Sequence, residues 1–308
     1  MRASDLHPEV RNAIRWTPRI PFAHPVLFGL SRRLYNIGSS SKLPKGVSAH
    51  RETLVGVEVL VIRPETPVSD AAILWMFGGG HWAGKPEHLN ATAGRAARDL
   101  GVTVFVPDYR LAPEHPFPAD LDDCYTVWQW LVSNGHTRGI DPSRMALAGH
   151  SAGGGIAAAL AQRILDNGGT QPVAQCLYYP MLDDRPSADR SLDKPNHFVW
   201  NNKADYQSWR AYLKPNQPNA QVLPAYAAPA RRLDLSGLPT TWIGMCALDL
   251  FHPQYATYAK RLNADGVSCE IYEVPGVPHA FEVFSPKASI ARSFESAAIG
   301  FLQRVLRC

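Results

Sequence analysis

A serine between two glycines is the strongest chemical signal in the sequence. Ser151 stands in the string Gly149-His150-Ser151-Ala152-Gly153, between an apolar run at 145–148 and a run of small residues at 154–165. A strand that passes directly into a helix forces the turn residue into a strained backbone conformation, and flanking glycines let the neighbouring backbone pass. Such a turn pushes the hydroxyl of Ser151 out above the sheet, where it can attack a carbonyl carbon. A tight turn with a purely structural serine is the alternative interpretation.

A serine hydroxyl is a weak nucleophile at neutral pH, so Ser151 needs a base, and the base needs a group that fixes its tautomer. Asp249 follows the apolar run 240–247, and His279 follows the run 268–274. The carboxyl ends of parallel strands meet at one edge of a sheet, so both side chains are expected beside Ser151. The order serine, acid, histidine is that of a catalytic triad.

Other interpretations of the acid and the base remain open. Asp249 also fits the N-cap of the helix predicted after it, and Asp234 and His252 are nearby competitors. His279 also fits an exposed loop position. The placement of Asp249 and His279 at one sheet edge favours the catalytic interpretation.

Three consecutive glycines, Gly78-Gly79-Gly80, follow the apolar run 71–76. Glycine runs cost backbone entropy and are typical of places where the chain approaches another group closely. Two amides of this loop, together with the amide of Ala152, are predicted to bind the oxyanion formed when Ser151 attacks. Each such donor typically contributes about 3–4 kcal/mol. A flexible turn is the alternative, and a phosphate-binding loop is disfavoured because no Lys-Ser or Lys-Thr follows the glycines.

Strand-length apolar runs alternate with helical patterns along the chain, which predicts an α/β fold with a mainly parallel sheet. Most of these runs are continuously apolar, as expected for strands that are buried on both faces. The predicted strands lie near 53–63 and at 71–76, 102–107, 145–149, 175–182, 240–247 and 268–274, and the predicted helices lie at 88–100, 119–133, 152–167, 255–265 and 289–307.

Two segments, 1–45 and 183–225, do not follow this alternation. The first contains helical patterns at about 8–16 and 26–36, and both segments are rich in proline and aromatic residues. We predict that they form a lid over the carboxyl ends of the strands, where open α/β sheets bind ligands; surface loops and an N-terminal arm are the alternative. The aromatic residues expected to close the site are Phe22, Phe28, Phe198, Trp200 and Trp209.

The composition is that of an ordinary globular chain: 308 residues, 45% hydrophobic and 19% charged. The net charge of +4 is dispersed, which disfavours a nucleic-acid partner. The five cysteines form no C-x-x-C pair, and no run of 18 apolar residues or signal-peptide pattern is present, so we expect a reducing, cytoplasmic location and no integral membrane segment. The sequence contains no H-E-x-x-H motif or Cys/His cluster, and neither a metal nor an organic cofactor is expected.

Four motifs in order resemble the hormone-sensitive lipase family of α/β-hydrolases, also called bacterial esterase family IV. They are FGGGHWAG at the glycine loop, DYRLAPEHPFPA at 108–119, GHSAGG at 149–154 and PGVPHAF at 275–281. The resemblance implies Ser151 as nucleophile, Asp249 as acid and His279 as base. It also implies oxyanion donors at Gly79, Gly80 and Ala152, with Gly78 as the alternative.

The resemblance also implies a domain division. The α/β-hydrolase core is expected at 46–182 and 226–308, with a helical cap built from 1–45 and the insertion 183–225.

Two residues depart from the family pattern beside the expected oxyanion site. Phe77 stands where the family usually has His, and His150 stands where it usually has Asp. The loss of these polar groups is expected to affect the glycine loop or the substrate range, unless His81 compensates. Phe77, His81, Trp82 and His150 are therefore candidate substrate-binding residues, together with the lid aromatics Phe22, Phe28, Trp200 and Trp209.

The predicted activity is hydrolysis of a small-molecule carboxylic ester through an acyl-enzyme, with short or medium acyl chains or aryl esters preferred. Amide or formamide hydrolysis on the same triad is one alternative, because a triad does not by itself choose the leaving group. A hydrolase-like ligand-binding protein without turnover is another. The sequence is compatible with a monomer or a homodimer.

Overall fold

A computed structural model describes residues 1–17, 25–38 and 41–307, with side chains at all of these positions except 25–28 and 38. The strands in this part of the chain are β1 (Val47–Leu54), β2 (Val57–Pro64), β3 (Ala72–Met76), β4 (Thr103–Pro107), β5 (Met145–His150), β6 (Ala174–Tyr178), β7 (Thr240–Cys246) and β8 (Cys269–Val274). The α-helices are α1 (Pro8–Ile14), α2 (Pro25–Gly38), α3 (Asn90–Leu100), α4 (Ala119–Asn134), α5 (Ala152–Asp166), α6 (Asn202–Tyr212), α7 (His252–Ala264), α8 (Phe281–Phe284) and α9 (Ser289–Leu306).

The strands form a sheet in the spatial order β1-β2-β4-β3-β5-β6-β7-β8. Strands β3 to β8 pair in parallel, whereas β2 pairs antiparallel with both β1 and β4. Helices connect the central parallel strands, so these strands are covered and consist of almost entirely buried apolar residues. The predicted mainly parallel α/β architecture is confirmed.

The register of the central strands aligns the segments expected to carry the chemistry. Met76 at the end of β3 pairs with Gly149 near the end of β5, so the glycine loop and the Ser151 turn leave the sheet side by side. Cys246 at the end of β7 likewise pairs with Val274 at the end of β8. The loops that follow these two strands therefore begin at the same edge of the sheet.

The structure differs from the sequence prediction in two places and adds one helix whose bounds were not predicted. The β1–β2 hairpin begins at Val47, ahead of the β-rich stretch predicted near 53–63. Strand β8 is an edge strand and not a strand buried on both faces, since Ile271 is 48% exposed. Helix α6 lies inside the insertion 183–225, which is expected to belong to a helical cap but for which the sequence pattern gives no helix bounds.

Helices α1 and α6 lie near the loops that follow the sheet strands. The amide of His7, at the start of α1, donates to the carbonyl oxygen of Gly276 in the loop after β8, at 2.7 Å. The carbonyl of Tyr212, at the end of α6, accepts from the amide of Phe117 at 2.8 Å. Both segments of the predicted lid thus contact loops at the carboxyl edge of the sheet.

Across the described residues, none of the helices has the length and apolar character needed to cross a membrane. The described cysteines, Cys124, Cys176, Cys246 and Cys269, are free thiols, and the first three are buried.

Candidate active site

Ser151 occupies the turn between β5 and α5 with φ 55° and ψ −117°, a left-handed conformation that side-chain-bearing residues adopt only when neighbouring structure enforces it. Its amide donates to the carbonyl oxygen of Tyr178 at 2.9 Å, and its carbonyl accepts from the amide of Met181 at 3.0 Å. These bonds to the segment at the end of β6 fix the turn. The hydroxyl is consequently held at the edge of the sheet with little freedom.

Close packing beneath this turn requires glycine at position 153. A Cβ atom on Gly153 would collide with the carbonyl oxygens of Met76 and Phe77. The start of α5 therefore lies directly against the end of β3, which brings Ser151 beside the glycine loop.

His279 connects the serine to an aspartate. Its Nε2 atom lies 2.8 Å from Oγ of Ser151, and its Nδ1 atom lies 2.7 Å from Oδ2 of Asp249. All three residues are buried, with exposed fractions of 8% for Ser151 and 4% for the other two. Three side chains that are distant in the sequence are thus joined by two hydrogen bonds at one sheet edge.

The second carboxylate oxygen of Asp249 has its own partner. Oδ1 accepts from the amide of Phe251 at 3.1 Å, so Oδ2 is left to face the imidazole. An ionised Asp249 can only accept, which makes Nδ1 of His279 the protonated nitrogen and leaves Nε2 free to accept from Ser151.

The structure does not favour the alternative interpretations of the acid and the base. The N-cap of helix α7 is Phe251 and not Asp249. Hydrogen bonds from the side chain and the amide of Ser236 lower the pKa of the Asp234 carboxyl group. Nε2 of His252 lies 3.5 Å from Oε1 of Glu273. His279 is buried, which does not fit the alternative of an exposed loop histidine.

The glycine loop presents free amides next to the serine. Gly79 and Gly80 have φ values of 135° and 59°, and a Cβ atom on Gly78 would lie 3.3 Å from Cβ of Ser151. Among the residues that the structure describes, the amides of Gly79, Gly80 and Ala152 have no hydrogen-bond acceptor. Ala152 is the first residue of α5, where the helix dipole adds positive potential. The edge beside Ser151 is therefore suited to a negatively charged oxygen.

His81 fixes the glycine loop from its far end. Its Nδ1 atom lies 2.8 Å from Oδ2 of Asp120 on α4, and its ring stacks on Tyr212 of α6 at a centroid distance of 3.8 Å. Its carbonyl oxygen also accepts from the amide of Ala112 at 2.9 Å. His81 thus joins the loop to two helices and supplies the polar anchor that Phe77 does not.

Phe77 lies in the core beneath the loop. It is fully buried and stacks on Tyr109 at 4.1 Å, and the hydroxyl of Tyr109 donates to the carbonyl oxygen of Phe77 at 2.5 Å. Its side chain therefore packs inside the protein and presents no surface to a substrate.

His150 is buried among the rings of Trp75, Tyr178 and Tyr179, with centroid distances of 4.2–5.8 Å. Burial lowers the pKa of His150 to about 3. The position beside the nucleophile consequently carries no charge at neutral pH.

The predicted lid aromatics have different environments. Trp200 is 9% exposed, its ring centroid lies 6.3 Å from that of His279, and its ring edge contacts Gly80. Trp209 is fully buried and packs against His81. Trp82 and Phe198 are also buried, whereas Phe22 and the side chain of Phe28 lie outside the described residues.

Sequence analysis missed three residues around the imidazole of His279. Tyr179 and Phe251 contact the His279 ring edge-on, with centroid distances of 4.7 and 5.3 Å. Glu282 accepts a hydrogen bond from the hydroxyl of Tyr179. Tyr179 stands directly after β6, so the sheet-edge argument that identified Asp249 could have found it. Glu282 has no comparable signal.

No group of three or more His, Cys, Asp or Glu side chains that could hold a metal ion is found in residues 1–17, 25–38 and 41–307. The chemistry that the arrangement supports is nucleophilic attack by Ser151 with proton transfer to His279.

Comparisons with known proteins identify the family of the chain. A family model described as alpha/beta hydrolase fold matches residues 73–283. The chain is 34% identical over 263 residues to carboxylesterase NlhH of Mycobacterium tuberculosis, an alignment that covers 82% of this chain and 80% of that protein. It is 29% identical over 218 residues to an ethyl acetate hydrolase of Pseudomonas putida, covering 70% and 67%.

Among solved structures, a bacterial heroin esterase matches with a TM-score of 0.90 and 31% identity over 99% of both chains. The fold, the matched family model and these relatives together show that the chain belongs to the α/β-hydrolase fold family and, within it, to the hormone-sensitive lipase family of esterases.

Proposed function

We propose that this carboxylesterase hydrolyses small carboxylic esters through an acyl-enzyme formed on Ser151. His279 takes the proton of the Ser151 hydroxyl as the oxygen attacks the carbonyl carbon. Asp249 holds the imidazole in the required tautomer and stabilises the imidazolium. The continuous hydrogen-bond chain from Ser151 Oγ to His279 to Asp249 carries this proposal.

The amides of Gly79, Gly80 and Ala152 stabilise the negative charge on the former carbonyl oxygen. His279 then gives its proton to the leaving alcohol, so the first product departs neutral. Water repeats the sequence on the acyl-enzyme, which releases the acid and restores Ser151. The free amides beside the serine and the positive end of α5 support this assignment.

We further propose that the enzyme prefers short acyl chains. The ring of Trp200 lies near His279 and contacts Gly80, and it therefore limits the space above the nucleophile. The name of the Pseudomonas putida relative, an ethyl acetate hydrolase, agrees with a short acyl group. The proposed cap of residues 1–45 and 183–225 supplies Trp200 from the loop that precedes α6. The proposed core spans 46–182 and 226–308.

Turnover of p-nitrophenyl acetate by the wild-type chain and by Ser151→Ala tests the mechanism. We expect the substitution to lower kcat by a factor on the order of 10⁴ or more, as for removal of a triad nucleophile. Ser133→Ala, an exposed serine on α4, is the matched control and should retain full activity. Full turnover by Ser151→Ala would refute the assigned nucleophile.

A series of p-nitrophenyl esters from acetate to palmitate tests the substrate range. The expected maximum of kcat/KM lies at acetate or butyrate, and a maximum at palmitate would refute the short-chain proposal. An anilide with the same acyl group distinguishes ester from amide hydrolysis. Binding of these compounds without any turnover would support the ligand-binding alternative.

A further inference from the structure

Glu282 is a buried carboxyl group close to the proposed catalytic base. It lies on α8, three residues after His279, and is 4% exposed. One carboxylate oxygen accepts from the hydroxyl of Tyr179, and the other, Oε2, has no hydrogen-bond partner in the described residues. Burying a carboxyl group with a partner on only one oxygen is costly, so the position requires an explanation beyond packing.

Tyr179 connects this carboxyl group to the imidazole. Its ring contacts that of His279 at a centroid distance of 4.7 Å, with an angle of 65° between the planes. Its amide donates to the carbonyl oxygen of Gly244 at 2.9 Å, which fixes the tyrosine backbone to β7. The hydroxyl of the same ring then binds Glu282. A rigid aromatic ring therefore lies between the base and a second acidic group.

The charged and titratable groups around Glu282 come from several elements. Glu295 on α9 is ion-paired with Arg95 on α3. Cys246 at the end of β7 and Tyr178 at the end of β6 are uncharged at neutral pH, because burial raises the pKa of each side chain well above its ordinary value. Burial raises the pKa of Glu282 to about 7, and nearby Glu295 also raises it, whereas the bond from Tyr179 and the proximity of His279 lower it. Both forms of the carboxyl group are therefore accessible near neutral pH.

We propose that Glu282 is a positioning residue for the catalytic base, holding the His279 imidazole through Tyr179 and stabilising the imidazolium that forms during attack. The inference rests on the proposed function, in which His279 is that base. Asp249 fixes the imidazole from its Nδ1 side, and Tyr179 supports it through ring contact. An ionised Glu282 adds negative charge near the ring without touching the substrate.

The two possible roles of Glu282 predict different pH profiles. If its charge stabilises the imidazolium, a neutral replacement makes His279 harder to protonate, so the acid limb of the kcat/KM profile moves to lower pH. The plateau falls as well, because the transition state contains the imidazolium. If Glu282 only packs against Tyr179, a replacement lowers the plateau and leaves the acid limb where it is in the wild type.

The test measures kcat/KM for p-nitrophenyl acetate between about pH 5 and pH 9. For Glu282→Gln we expect the acid limb to move down by up to about one pH unit, because a carboxyl group with a pKa of about 7 carries only part of a charge over this limb, and the plateau to fall about three- to tenfold. Glu270→Gln is the control, since it removes an exposed carboxylate paired with Arg304 and should leave the limb in place. An unmoved limb in Glu282→Gln overturns the inference.

Tyr179→Phe provides a second variant that keeps the aromatic ring. It removes the hydrogen bond that lowers the pKa of Glu282, so a larger fraction of the carboxyl group is neutral at pH 7 than in the wild type. Its acid limb should move in the same direction as that of Glu282→Gln. If Glu282→Gln does not fold, as judged by circular dichroism, this variant decides the question, and an unmoved limb in it overturns the inference.

The rate of inactivation by phenylmethylsulfonyl fluoride, measured over the same pH range, gives the reactivity of Ser151 with its base independently of substrate binding. The acid limb of the inactivation rate should move together with that of kcat/KM. Full turnover by Ser151→Ala would remove the proposed function itself. Loss of turnover in Ser151→Ala together with an unmoved limb in Glu282→Gln would remove the role of Glu282 alone.

Discussion

Replacing Asp249 with asparagine changes one atom, and the structure indicates the consequence for the base. Oδ1 of Asp249 accepts from the amide of Phe251, while Oδ2 faces Nδ1 of His279. In Asp249→Asn the carbonyl oxygen must take the position that accepts from Phe251. The amide NH₂ group then faces His279 and donates to Nδ1. The imidazole is forced into the tautomer with its proton on Nε2, which cannot accept the proton of Ser151.

The wrong tautomer should lower activity strongly, although the geometry of the site is otherwise retained, because His279 can no longer act as the base. Such a change typically lowers kcat by about 10⁴, or about 5.4 kcal/mol of transition-state stabilisation. The assay is the steady-state rate with p-nitrophenyl acetate, and KM should change little. Asp234→Asn is the matched control, because that carboxylate binds the amide of Ser236 away from the imidazole. Activity of Asp249→Asn close to that of the wild type would refute the assignment of Oδ2 as the group that sets the tautomer.

Three further predictions concern the structure around the site. In the wild type, the free energy of unfolding should fall by about 2 kcal/mol between pH 8 and pH 5 on account of His150, because at pH 5 the histidine binds a proton in the unfolded chain but not in the buried site. His150→Phe should abolish this part of the pH dependence. Gly153→Ala should destabilise by more than about 3 kcal/mol in urea titrations. Gly300→Ala on α9 should stabilise slightly, because a Cβ atom there would make only an ordinary contact with the Arg304 side chain. Asp120→Ala should destabilise by about 3 kcal/mol and lower kcat by loosening the His81 anchor, whereas Asp122→Ala should do neither. Each argument would be contradicted by one result: a pH dependence of stability in His150→Phe equal to that of the wild type, a Gly153→Ala variant of wild-type stability, or a fully active Asp120→Ala variant.

The parts of the site that follow from local chain geometry could be predicted from the sequence. A strand, a sharp turn and a helix of small residues define the position of Ser151. The ends of predicted strands define those of Asp249 and His279. In each case the argument needs only the rule that parallel strands end at one edge. Residues that act through packing between distant segments gave no such signal. Glu282 and Asp120 lie on helices, and their partners come from other elements.

Phe77 and His150 illustrate why a departure from a family pattern is difficult to interpret from sequence. Both replace polar residues beside the oxyanion site, and both were candidates for substrate contact. In the structure Phe77 is enclosed by the core, and the polar anchor of the loop comes from His81 and Asp120. The substitution therefore changes how the loop is held while its amides remain free.

His150 leads to a related conclusion about charge. A histidine buried among three aromatic rings is neutral, so the position next to Ser151 contributes no negative potential to the imidazolium of His279. Asp249 supplies one carboxylate on the Nδ1 side, and Glu282 is a further buried acid, bound to Tyr179, whose ring contacts the imidazole. Because Glu282 titrates near neutral pH whereas an ordinary aspartate is ionised there, the charge near the base becomes dependent on pH. Protonation of Glu282 makes His279 harder to protonate, so this enzyme should lose activity on acidification over a wider pH range than a triad with a permanently ionised neighbour, and Glu282→Gln should restore the profile of a single titrating group.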